Sequence, residues 1–151
     1  MKFLKLENSK LTVLVDDSNF ERLSKFKWYD CKKVIQHVKA GKHTSIANEI
    51  LKTNGVEYDH IDTNYLNCIE SNLRVCTHQQ NCFNRRKQFG NYSSMYKGVS
   101  YYRRNGKWRV TIFVNKKQIN LGFYASEIKA ARAYDKAALE FFKEFAWLNN
   151  V

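Results

Sequence analysis

Two alternating segments near the C-terminus constrain the fold of this chain more than any other feature. Residues 108–114 place Trp, Val, Ile and Val on one side and Arg, Thr and Phe on the other, the period of two typical of a half-buried β-strand. Residues 118–123 alternate in the same way, and their apolar side is expected to include Phe123. Residues 96–102 precede an Asn105-Gly106 pair, which favours a hairpin turn because both residues accept positive φ. The sequence therefore predicts a three-stranded antiparallel sheet.

An alanine-rich segment follows this sheet and predicts a helix. Ser126 is a suitable N-cap, and Glu127 would lie in the first turn, where a carboxylate interacts favourably with the helix dipole. Alanine recurs through residues 130–138, so the helix can lie close to one face of the sheet. The other face would carry Arg109, Gln118 and Asn120. A polar, basic sheet face of this kind can enter a major groove and read base edges.

The charge of the chain also points to nucleic acid. Its 151 residues include 26 Lys and Arg against 14 Asp and Glu, a formal net charge of +12. Residues 91–151 hold eleven of these basic residues and only four of the acidic ones. A strongly basic folded domain binds nucleic acid first, with an anionic membrane surface as the weaker alternative. A hydrophobic content of 44% excludes global disorder, and no apolar run is long enough to span a membrane.

The N-terminus and the cysteines favour a cytoplasmic location. Lys2 and Lys5 stand where a signal peptide needs apolar residues. The cysteines form no CxxC pair, so we expect reduced thiols and no zinc site. They are Cys31, Cys68, Cys76 and Cys82.

The C-terminal segment resembles the plant ethylene-response-factor (Apetala-type) DNA-binding domain over about residues 94–150. The resemblance rests on Tyr96-Lys97-Gly98-Val99-Ser100, on Leu121-Gly122-Phe123, and on the run from Ala130 to Ala138. In that family the open sheet face reads double-stranded DNA. Several matching positions are not the Arg or Trp of the plant factors, so the target site is not implied, and Lys143 replaces a common glycine. The expected DNA contacts are Lys97, Ser100, Tyr102, Arg103, Arg104, Arg109, Thr111, Phe113, Gln118 and Asn120.

The N-terminal part predicts a mixture of short strands and helices. Strands are expected at residues 11–15, 28–31 and 34–38, and helices at residues 18–26, capped by Ser18, and at 44–52. The segment after residue 55 predicts a strand, a loop, a second strand and a helix. Thr77 and Gln80 form a capping box at the start of that helix.

A set of polar residues in this last segment supports phosphodiester hydrolysis. Asp59 and Asn81 offer hard oxygen ligands of the kind that Mg²⁺ or Mn²⁺ prefers. His60 can accept a proton from water near neutral pH, and Asn72 can hold its imidazole in place. A metal ion beside a phosphate stabilises the developing negative charge.

The spacing of these residues resembles the HNH (ββα-metal) nuclease motif, in the histidine-asparagine-asparagine variant of phage homing endonucleases. The matching strings are Asp59-His60-Ile61-Asp62-x-Asn64 and Ser71-Asn72-Leu73-Arg74-Val75-x-Thr77. The resemblance implies that His60 is the general base, that Asp59 and Asn81 bind one Mg²⁺ or Mn²⁺ ion, and that Asn72 orients His60 or braces the loop. Asn64 and Asn84 would be supporting residues. Relatives usually carry His-Arg where this chain has Ala47-Asn48, and often Asp-Asn where it has Asn67-Cys68.

We therefore predict an α+β protein with two domains. Residues 1–86 would form a ββα-metal HNH nuclease domain, and residues 95–151 a three-stranded antiparallel sheet packed on one helix. The linker at residues 87–94 would follow a basic run that can lie along phosphates, Arg85-Arg86-Lys87. Arg74 could also reach a phosphate, or pair with Glu70 or Asp62.

The predicted function is site-specific cleavage of double-stranded DNA by a monomeric homing endonuclease that uses one divalent metal. A single active site favours nicking of one strand, and the resemblance places the protein in a bacterial host cytoplasm, encoded by a phage or mobile element. One alternative is a non-catalytic DNA-binding regulator with a degenerate nuclease domain. A second alternative is an RNA-binding or packaging protein.

Overall fold

The computed structural model describes residues 1–88 and 90–151, which form two compact units, residues 1–81 and residues 82–151. Phe89, within the predicted linker, lies outside the described residues. Each unit combines short helices with small antiparallel sheets, so the chain is a mixed α and β protein. Among the helices described, none has the length and apolar content needed to cross a lipid bilayer.

The first unit contains three separate antiparallel sheets. Strands β1 (Lys2–Lys5) and β2 (Thr12–Val15) form one sheet, followed by helix α1 (Asp17–Leu23). A second sheet contains β3 (Tyr29–Asp30), β4 (Ile35–Lys39) and β5 (Lys42–Ser45), and helix α2 (Ile46–Ile50) follows it. The third sheet pairs β6 (Tyr58–His60) with β7 (Leu73–Val75), after a 3-10 turn at Glu70–Asn72 and before helix α3 (His78–Phe83).

The core of the first unit anchors the loop between β6 and β7. Trp28, at 1% exposure, is the largest fully buried side chain, and its Nε1 donates to the carbonyl of Leu23 at 2.9 Å. Leu14, on β2, binds the loop at two points, because its N–H donates to Leu66 O and its carbonyl accepts from Cys68 N. The loop that follows His60 is thus fixed to the core by backbone hydrogen bonds.

Three details of the first unit differ from the sequence prediction. Strand β5 (Lys42–Ser45) was not predicted, and it takes up the start of the helix expected at residues 44–52 because it pairs with β4. Strand β1 was not predicted, and it exists because its residues pair with β2 in register from Lys2↔Val15 onward. Helix α1 begins after Asp16, not Ser18, since the Asp16 carbonyl accepts from the N–H groups of Asn19 and Phe20. Ser18 is therefore inside the first turn.

The second unit is the predicted sheet packed on one helix. The sheet order is β10-β9-β8, formed by β8 (Val99–Tyr102), β9 (Lys107–Val114) and β10 (Lys117–Tyr124). Helix α4 (Glu127–Phe142) begins at the predicted cap, where Ser126 Oγ accepts from Lys129 N. It ends at Lys143, which takes a positive φ of 51°.

Small residues bring helix α4 close to the sheet. Ala130, Ala131 and Ala138 are fully buried against Val110 and Ile112. Gly98, with φ of +75°, lies under the ring of Tyr134, where an added Cβ would stand 2.0 Å from a ring carbon. Only glycine fits this position.

A bulge in β10 changes one side-chain assignment. The register with β9 shifts between Asn120 and Gly122, and Gly122 has φ of +115°. Phe123 consequently pairs with Arg109 and lies on the open face, 5.4 Å from the ring of Tyr102. The prediction that Phe123 packs beneath the sheet was wrong, because strict alternation does not survive an inserted residue.

Candidate functional site

Asp59 and Arg74 face each other across the β6–β7 pair. They are direct partners in the strand register, and the guanidinium donates from Nε at 3.1 Å and from Nη2 at 2.7 Å to Asp59 Oδ2. Both side chains are largely buried, at 7% exposure for Asp59 and 15% for Arg74. Arg74 therefore pairs with Asp59 in this structure, instead of with Glu70 or Asp62 as the sequence analysis considered.

Asn81 lies on helix α3, next to the start of β6. Its Nδ2 donates to Glu57 Oε1 at 2.9 Å and to the Tyr58 carbonyl at 3.4 Å, one residue before Asp59. The predicted capping box fixes this helix, because Thr77 N donates to Gln80 Oε1 and Gln80 N donates to Thr77 Oγ1. Strand β6 and helix α3 thus bring the two predicted metal ligands onto neighbouring elements.

Asn72 braces the loop between the two strands. Its Nδ2 donates to Asp62 Oδ1 at 2.9 Å and to Asn67 O at 2.8 Å, and its Oδ1 accepts from Asp62 N. Asn64 N also donates to Asp62, at 2.8 Å. Of the two roles that the sequence left open for Asn72, these contacts fit the bracing of the loop.

Asp62 is the centre of this loop, a role that sequence reasoning missed. Burial opposes ionisation of Asp62, yet hydrogen bonds from Asn67, Asn64 and Asn72 hold its pKa below the ordinary value. An ionised Asp62 keeps all three partners in place. The sequence feature that could have indicated this role is the position of Asp62 in the motif, two residues after His60.

His60 ends β6 and is partly buried. Its Nε2 lies 3.5 Å from Cys68 Sγ, and its ring meets that of Tyr58 edge-on at 5.7 Å. Burial lowers the pKa of His60, and the nearby Asp62 and Asp59 carboxylates oppose that shift only in part. The neutral imidazole, which can accept a proton, is therefore favoured near pH 7.

The cysteines around the site are protonated thiols. Burial raises the pKa of Cys68 to about 12, and burial together with Asp59 and Glu57 raises that of Cys76 to about 11. In the described part of the chain, no three His, Cys, Asp or Glu side chains are grouped in a way that could hold a metal ion. The Asp59 carboxylate, the Asn81 amide and the Glu57 carboxylate, which accepts from Asn81, carry oxygen atoms on or next to β6 and α3.

The second unit presents an open sheet face. Gln118, Asn120, Arg103 and Arg104 are exposed, and Phe113 is 61% exposed on this face. The other predicted contact residues of the sheet are half-buried. The half-buried contact residues are Ser100, Tyr102, Arg109 and Thr111.

Two lysines predicted to contact DNA instead bind the backbone of the second unit. Lys97 Nζ donates to Phe83 O at 2.8 Å and to Arg85 O at 2.7 Å, and its burial lowers its pKa to about 8. Lys87 Nζ donates to the carbonyls of Ser94 and Tyr96, each at 2.8 Å. In this structure both ammonium groups satisfy loop carbonyls, and the contact of these two lysines with DNA stays a prediction.

The remaining predicted residues belong to the same unit. Arg85 is exposed, and the guanidinium of Arg86 stacks over Trp147 with its carbon 5.0 Å from the ring centroid. Asn84 is buried and belongs to the second unit, whereas Asn64 belongs to the first. The basic segment is thus partly folded onto the second unit.

Comparison with known proteins gives two results. Residues 94–144 match the AP2 domain family. Within this region the chain is 49% identical over 49 residues to APETALA2-like protein 2 of Oryza sativa subsp. indica, which is 32% of this chain and 11% of the rice protein. AP2-like ethylene-responsive transcription factor TOE2 of Arabidopsis thaliana gives the same identity over 49 residues and 10% of its length. The match therefore spans about a tenth of each plant relative.

A second relative covers most of the chain. Uncharacterized HNH endonuclease L560 of Acanthamoeba polyphaga mimivirus is 34% identical over 136 residues, which is 85% of this chain and 70% of the viral protein. The alignment is too long to lie within the AP2 domain alone. It therefore includes much of the first unit, which holds Asp59, His60 and Asn72.

Proposed function

The chain belongs to the same family as the mimivirus HNH endonuclease and contains an AP2 domain, and from this premise we propose that it is a site-specific DNA endonuclease. The first unit would hydrolyse the phosphodiester bond, and the AP2 domain would select the site. The observation that carries the proposal is the placement of Asp59 and His60 on one strand, with Asn81 on the helix that packs at its start.

His60 is the proposed general base. Cys68 Sγ donates to the Tyr65 carbonyl at 3.6 Å, so the sulfur is left to accept a hydrogen bond from His60 Nε2. A proton on Nε2 places the lone pair on Nδ1. Nδ1 would then take a proton from the attacking water, while the loop braced by Asn72 and Asp62 keeps the imidazole in position.

Asp59 and Asn81 are the proposed ligands of one Mg²⁺ or Mn²⁺ ion. The donor set fits such an ion, because both side chains offer hard oxygen atoms and the Asp59 carboxylate already binds a positive charge, that of Arg74. When bound, the metal supplies electrostatic stabilisation of the charge that develops on the phosphate. Two protein ligands leave the remaining positions to water and phosphate oxygens.

The substrate is proposed to be double-stranded DNA, cut in one strand. A monomer with one such site makes one cut for each binding event. The homing role, the bacterial host cytoplasm and a phage or mobile-element origin follow from the resemblance to homing enzymes and remain part of this proposal.

One observation favours a second candidate, a DNA-binding regulator without catalysis. The ion pair with Arg74 occupies an oxygen of Asp59, and Ala47 and Asn48, which replace the His-Arg of relatives, are buried in helix α2. A nuclease would have to bind its metal beside this pair or move Arg74 off Asp59, whereas a regulator would keep the pair permanently.

A supercoiled-plasmid assay separates the two functions. We expect open-circle product in Mg²⁺ and none in EDTA, a strong loss with Asn81→Ala, and recovery with Asn81→Asp, which restores an oxygen ligand. Asn91→Ala, at an exposed position of the second unit, is the matched control. Gel-shift binding without cleavage in any divalent metal would instead establish the regulator, and equal cleavage by Asn81→Ala would contradict the metal assignment.

A further inference from the structure

The open face of the AP2 sheet is apolar and amide-rich in its middle. Across the strands, Thr111 pairs with Asn120, and Phe113 pairs with Gln118. The bulge adds Phe123, 40% exposed, to the same face. Two large apolar side chains, Phe113 and Phe123, are therefore exposed to solvent on this surface beside the amides of Gln118 and Asn120.

The cations of the sheet lie mainly at its two ends. Arg103, Arg104 and Lys107 surround the β8–β9 turn, and Lys116 and Lys117 the β9–β10 turn, which is at the opposite end of β9. Cations at both ends of the sheet can contact the two phosphate backbones that border a groove. Such contacts orient a protein on the duplex without reading its sequence. The middle of the face would then meet base edges.

The chemistry of the middle favours one kind of base pair. The thymine C5-methyl is the apolar group that the major groove presents, and a glutamine amide matches N6 and N7 of adenine. Guanine is read chiefly by Arg or Lys. Arg109 is the one Arg or Lys of strands β8, β9 and β10 that lies away from the turns. Its guanidinium carbon is 5.7 Å from the centroid of the Tyr102 ring.

Asn120 and Gln118 play different parts in this face. Asn120 Oδ1 accepts from Gly122 N at 3.0 Å, which fixes the amide oxygen on the bulge, so the NH₂ group is the part of this amide that would donate to a base. Gln118 is exposed at the neighbouring pair, beside Phe113. The Phe113–Gln118 pair thus places an apolar side chain next to an amide. An A·T base pair presents matching groups in the major groove, the thymine methyl and the N6 and N7 atoms of adenine.

We propose that this face recognises an A·T-rich site in the major groove, with Phe113 and Phe123 against thymine methyl groups and Gln118 on adenine. This inference rests on the proposed DNA-binding function of the AP2 domain and names the class of sequence that the domain selects. Arg109 would bind the guanine of one G·C pair within such a site.

The test uses the full chain in EDTA, which prevents cleavage. Duplexes selected from a random pool are sequenced, and the consensus is then remade with deoxyuridine in place of thymidine, which removes the methyl groups and keeps the pairing. We expect an A·T-rich consensus and about fourfold weaker binding for each contacted methyl removed, the equivalent of one methyl-sized group leaving an apolar contact.

Two variants assign the effect to the sheet face. Phe113→Ala should reduce the difference between the two duplexes, and Phe113→Ala combined with Phe123→Ala should abolish most of it, whereas Leu139→Ala, at 52% exposure on helix α4, should preserve it. A G·C-rich consensus, or equal affinity for both duplexes, would overturn this inference and leave the DNA-binding function intact. Failure to bind any duplex at low salt would contradict the DNA-binding function itself.

Discussion

Arg74 donates two hydrogen bonds to a single oxygen of Asp59, from Nε at 3.1 Å and from Nη2 at 2.7 Å. The strand register fixes this pair, because the two residues are directly opposed on β6 and β7. A proposed metal ligand is therefore already neutralised by a side chain of the same hairpin. A metal ion bound as proposed would share the Asp59 carboxylate with Arg74 or displace it.

Loss of Arg74 should destabilise the protein mainly when no metal is present. Arg74→Ala removes the ion pair of a buried carboxylate, Asp59, which costs about 3 kcal/mol of unfolding free energy. Because Mn²⁺ can replace the missing charge, we expect much of this loss to be recovered in Mn²⁺ and none of it in EDTA. Urea unfolding in the two buffers measures both values. Arg104→Ala, at an exposed turn, is the control, and an equal loss in EDTA and Mn²⁺ would argue against competition.

The acid limit of cleavage should lie below that of an ordinary histidine. A general base must be neutral, and burial places the pKa of His60 below the 6.5 of an ordinary histidine. The cleavage rate should therefore persist as the pH falls through 6.5 and decline only at the lower pKa of the folded enzyme. A pH–rate profile at saturating Mg²⁺ measures this limit. An acid limb above 6.5 would show that His60 is not the titrating base.

The same shift predicts how stability depends on pH. Above 6.5, His60 is neutral in both the folded and unfolded states and adds no pH dependence. As the pH falls from 6.5 toward the lower folded pKa, the unfolded state takes up the proton first, so stability decreases. His60→Gln should flatten the unfolding free energy across this window. An unchanged slope in the variant would contradict the burial of the imidazole.

Asn72 should support both stability and cleavage through the loop. Asn72→Ala removes hydrogen bonds to Asp62 and Asn67 in a buried site and should cost about 2–3 kcal/mol. We expect slower nicking with unchanged affinity for DNA, because the loop after His60 loses its brace. Thermal melts measure the loss of stability, nicking assays measure the slower cleavage, and gel shifts measure the unchanged affinity for DNA. Weakened DNA binding, with normal nicking at saturation, would place Asn72 in a different role.

Lys97 should matter for folding more than for phosphate contact. Lys97→Met keeps the apolar stem but loses the hydrogen bonds to Phe83 O and Arg85 O, so the melting temperature should fall. The dependence of DNA affinity on salt should stay the same, whereas Arg104→Ala should reduce the slope of log affinity against log salt by about one. A reduced slope with Lys97→Met would return this residue to the DNA interface.

Much of the second unit could be predicted from the sequence, because its elements are encoded by local patterns. Alternation defined β9, and Ser126 marked the start of helix α4. The bulge at Gly122 was not predictable in the same way, since it depends on a hydrogen bond from its N–H to Asn120 Oδ1 within the folded strand. The misplacement of Phe123 followed from that single contact.

The candidate site shows the same division between local and long-range determinants. The capping box of Thr77 and Gln80 was visible in the sequence and is present. The pairing of Arg74 with Asp59 depends on the strand register, and the inward turn of Lys97 depends on carbonyls at residues 83 and 85. Spacing selected the candidate residues, and only the fold could supply their partners.

The central claim, that His60 drives hydrolysis, is tested most directly by nicking rates at equal DNA occupancy. Wild type and His60→Gln are compared on supercoiled plasmid in Mg²⁺, with binding measured in parallel by gel shift. We predict a rate at least about 100-fold lower for His60→Gln, the usual contribution of a general base, with unchanged DNA affinity. Equal nicking rates for the two proteins would contradict the proposed active site.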